Sequence, residues 1–241
     1  MSIGRQMGTP ATRAITVTVV AMLIAVLSFG ITGVSARGDT SPTTVLSLSS
    51  NPSKVADGGK IKLSGILGNK GGPGLGSKRV ILEQKAAGAP DADFVPVSGQ
   101  PLEGVLTGRN GAFSLSAIQP QGSTDYRALY TQGPKVTYSA TRRVGVMVNM
   151  TLQLSRRSVH PGRNVTITGA VSPAQADGFI KMTIKRDGQN LTRRVPLLNS
   201  RFTEKFTPRK TGRHTVVATY VPPSGQLTFL GNSARKGITV R

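Results

Sequence analysis

One glycine-rich basic segment has residue types found in phosphate-binding loops. Residues 68–78 read GNKGGPGLGSK. A phosphate-binding loop places its Lys before a Ser or Thr and opens a helix after a parallel strand. Here Ser77 precedes Lys78, and a strand-like sequence with the character of an edge strand follows. We therefore interpret the segment as a flexible hairpin loop.

Groups suited to metal binding or acid–base catalysis are scarce. The chain has no Cys and two His, His160 and His214. Without Cys there is no disulfide, thiolate metal site or thiol nucleophile. Asp91 and Asp93 could offer carboxylates to calcium, but no third acid is nearby, so we interpret them as a solvated turn. Since no nucleophile, base and orienting group come together, we predict no enzyme activity, metal or cofactor.

Basic residues are the abundant chemical feature. Lys and Arg number 31 against 10 Asp and Glu, a formal net charge of +21. Guanidinium groups pair bidentately with phosphate and carboxylate. The candidate polyanion-binding residues are basic doublets, several of them near predicted turns where both side chains reach solvent: Arg156, Arg157, Lys185, Arg186, Arg193, Arg194, Arg209 and Lys210.

The charge is divided unequally along the chain. Residues 41–148 hold 12 basic and 6 acidic residues, net +6, whereas residues 149–241 hold 16 basic and 3 acidic residues, net +13. Arginine supplies 11 of those 16. Polyanion binding is therefore expected mainly in the second half.

Short segments of period-two alternation must position these residues. Apolar and polar residues alternate at 60–64, 113–116, 165–168 and 180–185. Such alternation is typical of antiparallel strands with one buried face. Turn residues recur about every ten positions, which predicts a β-sandwich fold.

The two halves repeat the same order of segments. Residues 44–48 and 59–65 match 151–155 and 162–169, residues 111–115 match 200–204, and residues 123–128 match 211–216. We predict two sandwiches of about seven strands, over 43–148 and 149–241. The predicted core residues are Ile61, Leu63, Val80, Leu82, Phe113, Leu115, Tyr126, Val165, Ile167, Ile180, Met182, Ile184, Phe202, Phe206 and Val216.

These repeated segments resemble the bacterial immunoglobulin-like repeats found in tandem in exported proteins. The resemblance implies tandem immunoglobulin-like β-sandwiches and specifies a fold without an activity. The second copy departs from the pattern with His214 in place of Tyr126 and Glu204 in place of Leu115. We expect a β-bulge to turn Glu204 outward; pairing with a neighbouring arginine is the alternative.

The N-terminal segment has the features of a signal peptide. Arg5 and Arg13 precede an apolar run over 15–34, and small residues at Val34-Ser35-Ala36 suit cleavage after Ala36. We assign 1–36 to the signal peptide and 37–42 to a linker, with an uncleaved membrane anchor as the alternative. The absence of Cys excludes lipoprotein processing, and we expect no C-terminal anchor.

Together these features predict an exported, non-enzymatic structural or adhesive module at the cell surface or outside the cell. Its basic second half would contact an anionic cell-wall polymer or another cell-surface component. The alternative is non-specific binding of extracellular nucleic acid, although 7 Phe, 4 Tyr and no Trp offer few rings for base stacking. A small exported enzyme or inhibitor is least favoured, and membrane contact is expected only if the apolar segment stays uncleaved.

Mass spectrometry of the exported protein tests the processing prediction. The N-terminus should be Arg37 or lie within a few residues of it, because the small residues that signal peptidase recognises end at Ala36. Recovery of intact Met1 from the membrane fraction would instead establish the anchor.

Overall fold

The computed structural model describes residues 43–175 and 177–241, so the predicted signal peptide and linker lie outside the described residues. Within these two ranges the helical structure is the short 3-10 turn Asp91–Asp93. No helix of this part of the chain has the length and apolar character needed to cross a membrane.

The first copy of the repeat forms one sandwich of two sheets. In chain order its strands are β1 Thr44–Leu46, β2 Ser49–Asn51, β3 Lys54–Ala56, β4 Ile61–Asn69, β5 Arg79–Ala86, β6 Val95–Pro96, β7 Val105–Leu106, β8 Ala112–Ile118, β9 Thr124–Gln132, β10 Lys135–Tyr138 and β11 Arg142–Met147. One sheet places β1 and β2 on one side of β4 and β8 on the other. The second sheet has the order β3-β11-β9-β5-β6, with β10 added to β9 and β7 to β5.

The second copy repeats this arrangement with fewer strands. They are β12 Asn149–Leu154, β13 Ser158–Val159, β14 Val165–Ser172, β15 Phe179–Arg186, β16 Gln189–Pro196, β17 Arg201–Phe206, β18 Gly212–Val221 and β19 Ser233–Val240. A three-stranded sheet β12-β14-β17 faces a five-stranded sheet β13-β19-β18-β15-β16. In both copies the short strand that follows the first turn pairs in parallel with the last strand, β3 with β11 and β13 with β19.

The two sandwiches confirm the all-β prediction, but the first has eleven strands where about seven were expected. Its leading strand is divided into β1 and β2 at Ser47, whose Oγ accepts a hydrogen bond from the amide of Ile66 at 2.9 Å. Its closing strand is divided into β10 and β11, and the short strands β6 and β7 line the outer edge of β5.

The predicted cores are confirmed at fourteen of fifteen positions, and Leu115 is half-buried. The exception has a local cause, because the register between β4 and β8 shifts after the Leu63–Leu115 pair. Ala117 has a φ of 62° there. The resulting bulge places Ile118 in the core, opposite Ile61.

A glycine and a phenylalanine face each other across the smaller sheet of each sandwich. Gly65 lies opposite Phe113, and Gly169 lies opposite Phe202. A Cβ atom on Gly169 would be 2.3 Å from the Cζ atom of Phe202 and 2.3 Å from the carbonyl oxygen of Thr151. Each phenylalanine ring therefore occupies the core space that a side chain on its glycine partner would need.

The two sandwiches meet with almost no linker. β11 ends at Met147 and β12 begins at Asn149, so Val148 alone connects them. Leu230, in the loop between β18 and β19, donates its amide to Val146 at 2.7 Å and accepts from the amide of Val148 at 3.2 Å. The side chains of Val146 and Val148 pack in the core of the second sandwich. The end of the first sandwich thus completes the core of the second.

Substitution of Gly169 by Ala should destabilise the protein by about 2 kcal/mol or more, because either the Phe202 ring or the backbone must move. Gly237 is the matched control, since the nearest atoms to an added Cβ there are 3.8 Å away. Gly237→Ala should leave stability unchanged or raise it by up to about 1 kcal/mol. Urea unfolding of the full chain measures both, and equal stability of the two variants would refute the packing role of Gly169.

Candidate polyanion-binding surface

Most of the predicted cations lie at the end of the second sandwich farthest from Val148, which we call the distal end. β12 runs from the junction to Leu154, and the turn that follows carries Arg156 and Arg157, both exposed. The amide of Thr239, near the end of β19, donates to the carbonyl oxygen of Arg157 at 2.8 Å. This hydrogen bond holds the turn against the last strand.

The loop after β17 reaches the same end. The amide of Gly162 donates to the carbonyl oxygen of Pro208 at 2.7 Å, and Gly212 lies opposite Val240 at the end of β19. Arg209 and Lys210, which this loop carries, are exposed. They therefore share the distal end with the two arginines of the first turn.

The third doublet ends β15 at this end. Lys185 is exposed and lies opposite Thr215 of β18. The Nε atom of Arg186 is 3.1 Å from a carboxylate oxygen of Asp187. Of the three acidic residues in 149–241, Asp187 is the one at the distal end. Six of the eight predicted residues are therefore brought together with one carboxylate among them.

The fourth doublet lies elsewhere, in the middle of the edge strand β16. Because neighbouring strand residues point to opposite faces, its two side chains separate. Arg194 lies on the outer face, where its guanidinium stacks 3.8 Å from the ring centroid of Phe179. Arg193 faces the opposite way and places its Nη1 atom 2.5 Å from the Oε1 atom of Glu204.

The ion pair of Arg193 with Glu204 corrects the expected bulge at Glu204. β17 pairs with β14 in unbroken register, with Glu204 opposite Ile167. Glu204 therefore keeps the inward side of its strand at the edge of the sandwich, where Arg193 from the facing sheet neutralises it. The bulge belongs to the first copy, directly after Leu115.

Three further cations lie on the outer face of the five-stranded sheet and belong to no predicted doublet. Lys181, Arg213 and Arg235 are exposed, and Lys181 lies opposite Arg194. Lys181 and Arg213 are outward residues of strands whose alternate residues are buried, so the period-two pattern could have found them. Arg235 is followed by Lys236, a basic doublet that was not among the predicted residues.

The first sandwich has carboxylates at places where the second has uncharged residues. Glu83 lies opposite Arg127, and the Nε atom of that arginine is 2.6 Å from the Oε2 atom of Glu83. In both copies the neighbouring pair on these strands is a buried residue opposite an alanine, Leu82 with Ala128 and Met182 with Ala218. The counterpart of Glu83 is therefore Thr183, which lies opposite Val217, so an ion pair in one copy is replaced by an uncharged pair in the other.

A second ion pair shows the same exchange. Arg143 donates to both carboxylate oxygens of Asp125, at 2.7 and 2.9 Å, and these hydrogen bonds lower the pKa of the nearly buried Asp125 carboxyl below its ordinary value. The amides of Gly145 and Thr239 make matching hydrogen bonds, to the carbonyl oxygens of Ser53 and Arg157, so the counterpart of Arg143 is Gly237, which lies opposite Thr215. The outer face of the five-stranded sheet therefore lacks both carboxylates that the first sandwich has on its outer face.

The other segments singled out from the sequence have structural explanations. The glycine-rich loop leads into strand β5, which lies inside its sheet between β9 and the short strands β6 and β7, so the expected edge position is wrong. Asp91 accepts a hydrogen bond from the Nζ atom of Lys85 at 2.6 Å, which lowers the pKa of the Asp91 carboxyl. Among the described residues no group of three His, Asp or Glu side chains could hold a metal ion.

A bacterial adhesin is among the solved structures to which the chain is similar. No family model matches the chain. No curated protein matches it either. The chain is similar to the structure of the adhesin InvE of Yersinia pseudotuberculosis, with 12% sequence identity and a TM-score of 0.33. The similarity covers 81% of this chain and 58% of the adhesin chain.

Proposed function

We propose that this protein is an exported, non-enzymatic module that binds an anionic cell-wall polymer through the second of two immunoglobulin-like sandwiches. The observation that carries the proposal is the loss of two ion pairs. Where the first sandwich has Glu83 and Asp125, the second has Thr183 and Thr215, and its cations Lys185 and Arg213 each lie opposite a threonine.

The electrostatic consequence is a surface of one sign. The Lys185, Arg213 and Arg235 side chains share one sheet face, and the loops at the distal end continue that charge. A polymer of phosphates that lies on such a surface releases its condensed counterions, and this release drives binding at low salt. Affinity of this kind requires no deep pocket and tolerates variation along the polymer.

The aromatic residues favour a wall polymer over single-stranded nucleic acid. Base stacking requires exposed rings. In the second sandwich Phe202, Phe206, Tyr220 and Phe229 are buried, and the ring of Phe179 is covered by Arg194. The basic surface therefore offers charge without a described ring free to stack, which suits a polymer recognised through its phosphates.

The absence of enzyme activity and the export are part of the same proposal. His160 donates to a main-chain oxygen, and His214 is buried beside Phe206, so the two His side chains lie in structural roles. The signal-peptide pattern at the N-terminus supports export. The immunoglobulin-like assignment is supported by the two facing sheets in each copy and by the parallel pairing of a short early strand with the last strand.

Binding of the full chain to poly(glycerol phosphate) tests the proposal. The variant Arg157→Ser, Lys185→Ser, Arg209→Ser, Lys210→Ser should bind at least about tenfold more weakly at low salt, because four cations no longer neutralise phosphates of the polymer. Wild-type affinity should itself fall steeply as salt rises. Because Val146 and Val148 complete the second core, the experiment uses the full chain and not an excised second half.

The matched control removes the same charge from the first sandwich. Lys54, Lys60, Lys62 and Lys70 are exposed, and their replacement by Ser should change affinity less than about threefold. Equal losses of affinity in the two variants, or affinity that ignores salt, would contradict the proposal. Binding of duplex DNA with no binding of poly(glycerol phosphate) would favour the nucleic-acid alternative.

A further inference from the structure

The distal end contains a concave site whose polar lining is basic. Its volume is about 560 Å³, and its lining residues are Arg156, Ser158, Val159, His160, Arg163 and Arg241. Val159 is buried, whereas the other lining residues are exposed to solvent. No carboxylate side chain is among these lining residues.

Backbone hydrogen bonds fix the walls of this pocket. Val159 pairs with Val240 between the parallel strands β13 and β19, and the amide of Arg241 donates to the carbonyl oxygen of Val159 at 3.0 Å. The amide of Arg163 donates to the carbonyl oxygen of His160 at 3.2 Å, which closes the next turn. The backbones that carry the three arginines are therefore held by the fold, and the cost of assembling the site is reduced.

The imidazole of His160 is also held in one orientation. Its Nδ1 atom is 2.6 Å from the main-chain oxygen of Arg241. Since that oxygen can only accept, Nδ1 carries the proton and donates. In the neutral ring Nε2 is then the second polar atom and an acceptor, and in the protonated ring it becomes a donor.

We propose that this pocket binds a single phosphate group, with Arg156, Arg163 and Arg241 as its cationic donors and Ser158 as a neutral one. The inference rests on the proposed function and deepens it, because it assigns one phosphate of the ligand to a built site. The phosphate is either a diester inside a polymer chain or a monoester at its end, and both present the same anionic oxygens to the guanidinium groups.

The arrangement of donors favours phosphate over carboxylate. Arg156 comes from the turn after β12, Arg163 from the turn before β14, and Arg241 follows β19. Donors that approach from three segments suit a tetrahedral anion, whose oxygens point in several directions. A carboxylate has two oxygens in one plane and is satisfied by one bidentate arginine.

An NMR titration of the full chain tests the assignment. Inorganic phosphate, glycerol 3-phosphate and dimethyl phosphate are added in parallel at constant ionic strength, with acetate as the carboxylate probe. Phosphate probes should give saturable shifts of the backbone amides of Ser158, His160 and Arg163. Binding of both monoester and diester probes would identify the phosphate alone as the determinant, whereas binding of one would identify the source.

Two variants with the same change in charge distinguish phosphate binding in the pocket from general electrostatic attraction to the basic surface. Arg163→Ser should weaken phosphate binding about tenfold, the effect expected for removal of one bidentate arginine. Arg201→Ser removes the same charge from an exposed position on the opposite sheet of this sandwich and should change phosphate binding less than about twofold. The proposed phosphate site would be refuted by equal effects of the two variants, by shifts spread over the whole basic surface, or by acetate binding as tightly as phosphate.

The pocket and the proposed function fail in different ways. If poly(glycerol phosphate) binds the full chain and Arg163→Ser behaves like Arg201→Ser in the phosphate titration, the phosphate pocket is refuted and the polymer-binding surface stands. If phosphate saturates the pocket and the polymer does not bind, the function is refuted and the site stands.

Discussion

Burial of Ile180, Met182 and Ile184 in β15 determines which cations the second sandwich presents to solvent. Each of these side chains gains about 1.5–3 kcal/mol from burial. Because side chains alternate along a strand, their burial forces Lys181 and Lys185 onto the outer face. A slip of one residue would bury both lysines and expose all three apolar side chains, so the core fixes the charged surface.

The two copies show how one frame supports two different surfaces. The order of the main strands, the parallel pairing of a short early strand with the last strand, and the cross-strand pairing of glycine with phenylalanine are the same in both. The outer faces differ, because the carboxylates of Glu83 and Asp125 have Thr183 and Thr215 as counterparts in the second copy. Core packing maintains the same fold in both copies, and the difference in charge lies at the solvent-facing positions.

Sequence patterns predicted the features that depend on neighbouring residues and missed those that depend on residues distant in the chain. Alternation at 180–185 places the core and the outer lysines, since it depends on one strand alone. The pairing of Arg193 with Glu204 joins two sheets across the edge of the sandwich, and local sequence could name it only as an alternative to a bulge. The bulge at Ala117 and the packing of Val146 in the second core depend on partners that are distant in sequence.

The basic doublets predicted the basic surface only in part, because local sequence does not show which face of the sandwich a side chain reaches. Adjacent residues in a turn can both face solvent, as Arg156 and Arg157 do, whereas adjacent residues in a strand separate, as Arg193 and Arg194 do. The distal pocket joins Arg163 to Arg241 through the closure of the sandwich. The parallel pairing of β13 with β19 brings the turn that carries Arg163 beside Arg241.

The central claim is that cations left without carboxylate partners bind the polyanion, and the introduction of ion pairs in place of two of these cations tests it most directly. The variant Lys185→Glu, Thr215→Arg, Arg213→Asp, Thr239→Arg places two cross-strand ion pairs on the outer face of the second sandwich and lowers the net charge by two. The pair Lys54→Ser, Lys60→Ser lowers it equally on the first sandwich. With duplex DNA as a probe of defined charge spacing, the ion-paired variant should show a salt dependence shallower by roughly 0.9 for each phosphate that it no longer neutralises, and the control should keep the wild-type slope. Identical slopes for the two variants would contradict the claim.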